Sequence, residues 1–393
     1  MKKKIFIISD YKTGGAGHVA FKVGEILKDN DFLVNHYWGE EFFKFSPINY
    51  LFNFRAKRDI ECRIKKFKPD VILLHNFDNI LSPLILKAIK EYKDIHSCKV
   101  IMTCHDYHIV SASNSLTYYS KSEKKFYQNL PSFFQLLTAR LDKRSYFHGL
   151  ARIIQWYLYY HLFSLNNVID NYTCPSHFIG SKLEGRFKKQ KIHLLHNPSN
   201  IPPVDFEEIN KNNKVAKIVF VGRVSDDKGI YEFLLRFHEY SSRCGFIDPV
   251  EFVIIGEGPN FHKILQLSQD RKLKFNISVL GYLPIEQVRE ILIESDYVLL
   301  PSIVYENAPL SLVEGVFCKC DIITMNYGGM KEIAGKIHSS IVLNNFSKEE
   351  IVKLINGIKN RNKMKKEEFD FFVHEYSHEN YINGFNSILN ICR

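Results

Sequence analysis

Short apolar runs of strand length alternate with segments of helical spacing in the first part of the chain. Ile5–Ile8, Val71–Leu74 and Val100–Thr103 are such runs, and Val19–Leu27 and Leu81–Tyr92 repeat apolar residues at helical intervals. Strands that alternate with helices are typical of right-handed βαβ units, whose strands pair in parallel. The pattern therefore predicts an α/β domain with a doubly wound parallel sheet.

The same alternation restarts near residue 217. The predicted strands are Lys217–Gly222, Glu251–Ile255, Ser278–Gly281, Tyr297–Leu300 and Asp321–Thr324, and the predicted helices are Tyr231–Tyr240 and Ile285–Ser295. We therefore expect two successive Rossmann-like α/β domains.

Asn197–Pro203 separates the two patterns, because three prolines and two asparagines interrupt both periodicities there. A length of 393 residues also suits two or three domains of roughly 150 residues each. We predict domains at 1–200 and 201–375. The aromatic-rich segment His374–Ile391 has helical spacing, and we expect a helix at about 376–393 to cross back onto the first domain.

The positive charge of the chain is concentrated in its first half. Residues 1–200 contain 30 Lys and Arg and 17 Asp and Glu, a net +13, whereas the rest contains 23 and 26, a net −3. One interpretation is that the first half faces an anionic surface or polymer, and the other is that the charge serves solubility. A nucleic-acid-binding protein is a third class, suggested by pI ≈ 9.0, but the charge is dispersed and no nucleic-acid-binding motif is recognised.

The chain offers no predicted membrane span or secretion signal. Its longest apolar stretch, Leu150–Ile169, contains Arg152 and His161, and Ile5–Ile8 is too short for a signal-peptide core. The eight cysteines are scattered without CxxC spacing, so most are expected to be reduced, buried and inert. We expect a cytoplasmic protein, with peripheral association at the inner face of the plasma membrane as a further interpretation.

Residues 110–170 fit the strand–helix alternation poorly. Phe133–Phe163 mixes aromatic residues with Arg140, Lys143, Arg144 and Arg152. An amphipathic helix that covers a sheet is one interpretation. The other is an interfacial surface, whose aromatic residues insert among anionic lipid headgroups while its cations pair with phosphates.

Ligands of open α/β sheets bind beyond the carboxyl ends of the strands, so we examined the residues after each strand. Gly14-Gly15-Ala16-Gly17 follows the first strand, and its backbone N–H groups suit either an anion site at a helix N-terminus or a tight structural turn. His105 follows the third strand, where it suits contact with a sugar hydroxyl, stabilisation of developing charge, or a place in the core. A metal site at His105 and His108 is rejected because further ligands are missing.

Two cations follow the first strand of the second half. Gly222-Arg223 and Lys228 lie on one strand-to-helix loop, from which a planar guanidinium and an ammonium can converge on a diphosphate. The alternative is a solvated loop in which Asp226 and Asp227 are the partners of these cations.

Glu306 and Glu314 are separated by seven residues that include Pro309, which suits a first helical turn. Glu306 then precedes a helix and Glu314 lies within it. The free N–H groups near Asn307, Ala308 and Leu310 favour an anion at the helix start. Two surface glutamates are the alternative, but the position after a strand favours the functional interpretation.

These motifs together resemble glycosyltransferase family 4. The second half carries Phe220–Gly229, Ile255–Pro259, Gly281–Leu283 and the pair Glu306 and Glu314, in that order. The first half agrees more loosely through its glycine loop and the motifs His75-Asn76, Thr103–Asp106 and His196–Pro198. The resemblance implies a GT-B fold, in which two Rossmann-like domains face a cleft, and a retaining transfer of sugar from a nucleotide donor.

The resemblance also implies roles for individual residues. Arg223 and Lys228 would neutralise the donor diphosphate, Glu306 would contact the donor sugar, Glu314 would bind the ribose, and His105 would touch the sugar from the other domain. The remaining donor-binding residues would be Gly15, Ala16, Gly17, Gly222, Gly256, Tyr282, Leu283, Asn307, Ala308 and Leu310.

Fixed cations and helix N-termini would stabilise the leaving diphosphate, so no metal ion or other cofactor is expected. Pro309 departs from the family, which often has glycine there, so one backbone donor to phosphate is missing.

The expected donor is UDP- or GDP-linked. The expected acceptor is a glycan or a lipid-linked glycan of a bacterial surface polysaccharide such as lipopolysaccharide, O-antigen or capsule. A nucleotide-sugar epimerase or a glycogen-synthase-like polymerase of the same fold is the alternative.

Overall fold

The computed structural model describes residues 2–121, 123–211, 214–243, 250–360 and 362–390, which form two compact units. The first unit comprises the described residues up to Pro198 together with those from His378 onward. The second comprises the described residues of Ser199–Ser377.

The first unit contains a six-stranded parallel sheet and a small antiparallel hairpin. Its strands are β1 (Lys4–Ser9), β2 (Leu33–Trp38), β3 (Val71–Leu74), β4 (Lys99–Thr103), the hairpin strands β5 (Thr117–Ser120) and β6 (Glu123–Phe126), β7 (Asn171–Cys174) and β8 (Ile192–Leu194). Its helices are α1 (Gly14–Asp29), α2 (Gly39–Phe42), α3 (Pro47–Leu51), α4 (Phe54–Phe67), α5 (Ile85–Lys93), α6 (Phe133–Thr138), α7 (Tyr146–Tyr157) and α8 (His177–Glu184). The sheet order is β2-β1-β3-β4-β7-β8.

The second unit contains another six-stranded parallel sheet, in the order β11-β10-β9-β12-β13-β14. Its strands are β9 (Ala216–Val221), β10 (Val250–Ile255), β11 (Asn276–Gly281), β12 (Tyr297–Leu300), β13 (Asp321–Met325) and β14 (Ile341–Leu343). Its helices are α9 (Ile230–Arg243), α10 (Phe261–Ser268), α11 (Ile285–Glu294), α12 (Leu310–Phe317), α13 (Gly328–Ala334), α14 (Lys348–Asn360) and α15 (Lys366–Glu375). The last described helix, α16 (His378–Leu389), returns to the first unit.

Each sheet has a point at which the chain reverses its direction of growth. In the second unit this point lies between β9 and β12, and in the first it lies between β1 and β3. Crevices beyond the carboxyl ends of the strands form at such switch points, because the flanking connections leave in opposite directions. The loops after these four strands are therefore the places where each sheet can hold a ligand.

Central strands are buried on both faces, which explains their continuous apolar runs. Val71–Leu74 is fully enclosed and coincides with the predicted strand, as does Tyr297–Leu300. The two predicted doubly wound sheets are confirmed.

Several boundaries differ from the sequence predictions. Gly14–Gly17 is the first turn of α1 and not a separate turn, and Gly14 enters that helix at φ +78°. The helix predicted over Leu81–Tyr92 begins only at Ile85, and six strands were missed, namely β2, β5, β6, β7, β8 and β14. β2 lies at a sheet edge and its first four residues are exposed or half-buried, so it lacks the apolar run of a central strand.

Two helical predictions also need correction. Phe133–Phe163 is not one amphipathic helix, because α6 and α7 are separate and a π-helical segment, Leu158–Leu162, continues α7. The segment His374–Ile391 is divided between α15 and α16, with Tyr376 and Ser377 between them. Ile391 lies outside the described residues, as does the end of the helix predicted at about 376–393.

Six cysteines lie in the described part of the chain, and all six are free thiols. Five are buried, as predicted, whereas Cys62 is exposed. Cys244 and Cys392 lie outside the described residues.

Candidate functional site

Hydrogen bonds tie together the loops that leave the carboxyl ends of β9, β10 and β11. The Gly222 amide donates to the Ile255 carbonyl at 3.0 Å, and the Gly256 amide donates to the Gly281 carbonyl at 2.7 Å. Gly256 has φ +123°, and a Cβ atom there would overlap the Gly222 carbonyl oxygen. Only glycine lets these backbones approach so closely, which explains two glycines of the predicted donor-binding set.

Lys228 and Glu306 meet across the switch point of the second sheet. Lys228 ends a short 3-10 turn after β9, and its Nζ lies 2.7 Å from Oε1 of Glu306, which follows β12. The same carboxylate oxygen accepts a hydrogen bond from the Oγ of Ser302 at 2.8 Å. Since both side chains are partly buried, at 27% and 18% exposure, this ion pair is better shielded from solvent than a surface pair.

The loop that carries Glu306 is held from two sides. The Tyr327 hydroxyl donates to the Ser302 carbonyl at 2.6 Å, and the Gly329 amide donates to the Glu306 carbonyl at 2.7 Å. A Cβ atom on Gly329 would overlap the Asn307 carbonyl oxygen, so this approach also requires glycine. Ser302 was not predicted from the sequence as a site residue. Its position two residues after β12 is a signal that could have identified it.

Glu314 lies inside α12 and is 6% exposed. Burial raises its pKa to about 7, because the charged carboxylate is poorly solvated there. Pro309 stands immediately before α12 and not within its first turn, so Leu310 is the first helical residue and Asn307 and Ala308 precede the helix. A buried carboxylate with a raised pKa is suited to accept hydrogen bonds from a ligand hydroxyl.

The other predicted donor-binding residues of the second unit lie at the same edge of the sheet. Arg223 is exposed directly after β9, and Tyr282 is 75% exposed directly after β11. Leu283 is half-buried and packs against the core. The second sheet therefore gathers its predicted residues at the carboxyl ends of its strands, and Lys228 and Glu306 form an ion pair there.

In the first unit, the predicted residue His105 lies against His75. Nε2 of His105 is 2.7 Å from Nδ1 of His75, and the two rings stack at a centroid distance of 5.0 Å. Burial lowers the pKa of His105 to about 4, and that of His75 also falls well below its usual value. Both rings are therefore neutral near pH 7. The sequence analysis quoted His75 only as part of a motif and assigned it no role.

A buried group of carboxylates lies beside this histidine pair. Asp10 follows β1 and accepts hydrogen bonds from the backbone amides of Asn79, Ile80 and Leu81 at 2.7–3.1 Å. Burial and the neighbouring Asp78 raise the pKa of Asp10 to about 8. These contacts fix the loop after β3 to the end of β1, so we interpret Asp10 as structural.

Gly15, Ala16 and Gly17 form the first turn of α1, and the Thr13 side chain makes no capping hydrogen bond. A Cβ atom on Gly17 would overlap the Lys12 carbonyl oxygen, so the turn is closely packed. The backbone N–H groups of a first helical turn are suited to an anion.

Within the described residues, no group of three or more His, Cys, Asp or Glu side chains is arranged to hold a metal ion. One Asp-x-Asp sequence, Asp29-Asn30-Asp31, is present, but it lies between α1 and β2, at the end of the sheet opposite the strand carboxyl ends. Asp31 there pairs with Lys2 at 2.8 Å.

Among the helices of the described part of the chain, none combines the length and the apolar character needed to cross a bilayer.

Residues 203–369 match the family model described as Glycosyl transferases group 1. This part of the chain is similar to group 1 glycosyltransferases. The matched range contains all four motifs of the second unit on which the predicted family resemblance depends. It includes Glu306 and Glu314, but the match assigns no role to either residue. The match agrees with the predicted resemblance to glycosyltransferases over the second half of the chain, whereas membership of family 4 stays a prediction.

The chain is also similar to curated and solved proteins. A Klebsiella pneumoniae protein described as "Uncharacterized 42.6 kDa protein in cps region" is 26% identical over 309 residues, which are 76% of this chain and 70% of that protein. The apo form of the lipopolysaccharide outer core galactosyltransferase WaaB superposes with a TM-score of 0.61 at 15% identity, and the alignment covers 98% of this chain and 99% of that chain. Anabaena HepE in complex with UDP-glucose gives a TM-score of 0.65 at 12% identity over 99% and 100% of the two chains. These superpositions confirm the predicted GT-B fold class.

Proposed function

We propose that this glycosyltransferase moves a sugar from a UDP- or GDP-linked donor to a glycan or lipid-linked acceptor of a bacterial surface polysaccharide, with retention of the anomeric configuration and without a metal ion. The observation that carries this proposal is the Lys228–Glu306 pair at the switch point of the second sheet. The similarity to an outer core galactosyltransferase and to a protein in a cps region supports the surface-polysaccharide part.

The proposed chemistry requires stabilisation of a leaving group. When the bond between the sugar and the nucleotide breaks, negative charge develops on the diphosphate, and nearby cations and amide dipoles lower the energy of that state. Lys228 and Arg223 would supply the cations, and the backbone N–H groups at the start of α12 would supply the dipoles. Glu306 already holds the Lys228 ammonium at 2.7 Å, so the cation is oriented before a donor binds.

Each of the residues Glu314, Glu306 and His105 would then contact a different part of the donor. Glu314, buried within α12, would accept hydrogen bonds from the ribose hydroxyls. Glu306 would contact the donor sugar near its reacting carbon. His105, neutral near pH 7 because burial lowers its pKa to about 4, would hydrogen-bond a sugar hydroxyl. A phosphate oxygen of the leaving group would accept the proton of the attacking hydroxyl.

A thermal-shift panel of UDP-, GDP-, ADP- and CMP-sugars is the first test, because a ligand that binds the native state raises the melting temperature. We expect stabilisation by one UDP- or GDP-sugar. If no nucleotide sugar changes the melting temperature at saturating concentration, the proposal is wrong.

Product analysis with the stabilising donor then separates the alternatives. A transferase consumes donor only when an acceptor hydroxyl is present, whereas an epimerase converts the donor alone and a polymerase extends a glucan primer repeatedly. Proton NMR of the product reports the anomeric configuration, and a comparison with and without chelator reports metal dependence. Glu306→Gln and Arg223→Ala should each lose turnover by orders of magnitude while the protein remains folded.

A further inference from the structure

Two histidine rings meet where neighbouring strands of the first sheet end. His75 directly follows β3, and His105 follows the adjacent strand β4 by two residues. Nδ1 of His75 lies 2.7 Å from Nε2 of His105, and the two ring planes are 20° apart. The N–H and the lone pair of an imidazole lie in its ring plane, so this orientation suits an N–H···N hydrogen bond between the rings.

The sheet fixes His75 in place. Strand β3 pairs with β1 on one side and with β4 on the other. The backbone N–H of His75 donates to the Ile8 carbonyl at 2.9 Å, and its side chain is fully enclosed, at 0% exposure. His105 is half-buried. The enclosed ring of His75 therefore holds the more accessible ring of His105.

Two arrangements of protons satisfy the bond between these rings. A neutral imidazole carries one ring proton, so one nitrogen donates and the other accepts. In the first arrangement, Nδ1–H of His75 donates to Nε2 of His105, and both rings carry their proton on Nδ1. In the second arrangement, Nε2–H of His105 donates to Nδ1 of His75, and both rings carry their proton on Nε2.

The second nitrogen of His75 distinguishes the two arrangements. Nε2 of His75 is buried and has no hydrogen-bond partner among the described residues. In the first arrangement this atom is an unused lone pair, whereas in the second it is an enclosed N–H without an acceptor. Buried N–H groups that lack an acceptor are rarer in native proteins than acceptors with an unused lone pair. The first arrangement is therefore favoured.

We propose that His75 is a positioning residue, which donates from Nδ1 to Nε2 of His105 and thereby fixes the proton of His105 on Nδ1. His105 then acts as a hydrogen-bond donor at Nδ1, so it would donate to a hydroxyl oxygen of the donor sugar and would not accept from that hydroxyl. The inference rests on the proposed function, because it gives a direction to the sugar contact of His105. A preset tautomer also spares the site a rearrangement when the donor binds.

Nitrogen NMR of the full chain tests the tautomer directly. The protonated and the unprotonated nitrogen of a neutral imidazole have well-separated ¹⁵N chemical shifts. Protein labelled with ¹⁵N-histidine is measured near pH 7 without donor, and the signals that disappear in His105→Gln are those of His105. We expect a protonated Nδ1 and an unprotonated Nε2 in His105. A protonated Nε2 there would overturn the inference.

Two substitutions at position 75 separate hydrogen bonding from packing. His75→Phe keeps a ring in place but removes the donor. His75→Asn loses the ring, but its Nδ2 takes the place of Nδ1 along the side chain and can donate to His105. We expect kcat/KM for the donor sugar to fall about tenfold in His75→Phe and to stay within about threefold of the unmodified value in His75→Asn. A ring that only fills space predicts the reverse order, and that result would overturn the inference.

Nucleotide binding and a second histidine provide the controls. The affinity for UDP or GDP should be unchanged in His75→Phe, because the proposed contact of His105 is to the sugar. An equal loss of nucleotide affinity would show that His75 only supports the fold, and it would overturn the inference. His36→Phe is the matched control, since His36 is a half-buried histidine of β2 whose ring stacks on that of Trp38 at 5.2 Å.

The two kinds of measurement also separate this inference from the proposed function. Circular dichroism and melting temperature establish that each variant is folded. The tautomer of His105 is measured without donor, so the ¹⁵N shifts decide the inference whether or not the protein transfers a sugar. A protein with the expected tautomer and no transferase activity would contradict the proposed function instead.

Discussion

The Lys228 ammonium lies 2.7 Å from Oε1 of Glu306, so a residue that follows β9 neutralises one that follows β12. A bound diphosphate would therefore share Lys228 with Glu306. The pair keeps both charges partly buried and oriented without ligand, which lowers the reorganisation needed when negative charge develops. Each member should affect nucleotide binding and turnover more than it affects stability.

Lys228→Ala should weaken the affinity for a nucleoside diphosphate by about 10–100-fold, because a charge-assisted contact to phosphate is lost. Affinity for the corresponding nucleoside should change little. Isothermal titration calorimetry with UDP and uridine, or GDP and guanosine, makes this comparison. Arg271→Ala removes an exposed cation of the same unit and serves as the control. Equal losses for diphosphate and nucleoside would contradict a phosphate role for Lys228.

Ser302→Ala should lower kcat about tenfold or more and leave nucleotide affinity nearly unchanged. The Ser302 hydroxyl donates to Glu306 at 2.8 Å and is fully buried, so its loss frees the carboxylate to rotate without removing Lys228. Steady-state kinetics separates kcat from KM, and Ser268→Ala, in a half-buried serine of α10, is the control. A fall in melting temperature with unchanged kcat would show that Ser302 is only structural.

The second unit was the easier one to predict from sequence. Its central strands are continuous apolar runs because they are buried on both faces, and the loops that follow them share one edge of the sheet by topology alone. Lys228 and Glu306 were found in this way, although 78 residues separate them in the chain.

Other features depend on tertiary structure that local patterns do not encode. β2 alternates in exposure because it lies at a sheet edge, so it lacks the continuous apolar run of a buried strand. Helix α7 carries apolar residues on its exposed face, so its hydrophobic pattern does not show which face is buried. His75 and His105 follow two adjacent strands, and their rings are in contact. The spacing of apolar residues along the chain does not predict this contact between side chains. The wrong treatment of Gly14–Gly17 has a similar cause, since glycine indicates a turn even where a helix begins.

The stability of the protein should fall as the pH decreases from about 6.5 to about 4, partly because of His105. Burial lowers its pKa from 6.5 to about 4, so the unfolded chain binds a proton in this range that the native state does not. His105→Gln removes the titrating ring and should reduce this fall by at most about 3 kcal/mol. Melting temperatures measured at half-unit pH intervals make the comparison, with the exposed His148→Gln as control. If the stability of His105→Gln falls with decreasing pH as steeply as that of the unmodified protein, the ring is not buried as described.

Glu314 should make stability depend on pH in the opposite direction to His105. Its pKa is raised from 4.5 to about 7 by burial, so the native state binds the extra proton and stability decreases as the pH rises from about 4.5 to about 7. Glu314→Gln cannot ionise, so its stability relative to the unmodified protein should increase over this range and level off above it, by at most about 3 kcal/mol. Melting temperatures of both proteins, measured across the range, make the comparison. Other buried carboxylates, such as Asp10, give the same sign in both proteins and cancel in the difference.

The same variant tests the proposed ribose contact. An ionised carboxylate accepts hydrogen bonds from a ribose diol more strongly than a neutral one, so nucleoside affinity of the unmodified protein should rise through pH 7. Glu314→Gln should bind nucleoside more weakly and show no such rise, whereas Glu290→Gln, in an exposed residue of α11, should behave as the unmodified protein. If Glu314→Gln flattens the stability profile but leaves nucleoside affinity intact, the carboxylate is buried as described and does not bind the ribose.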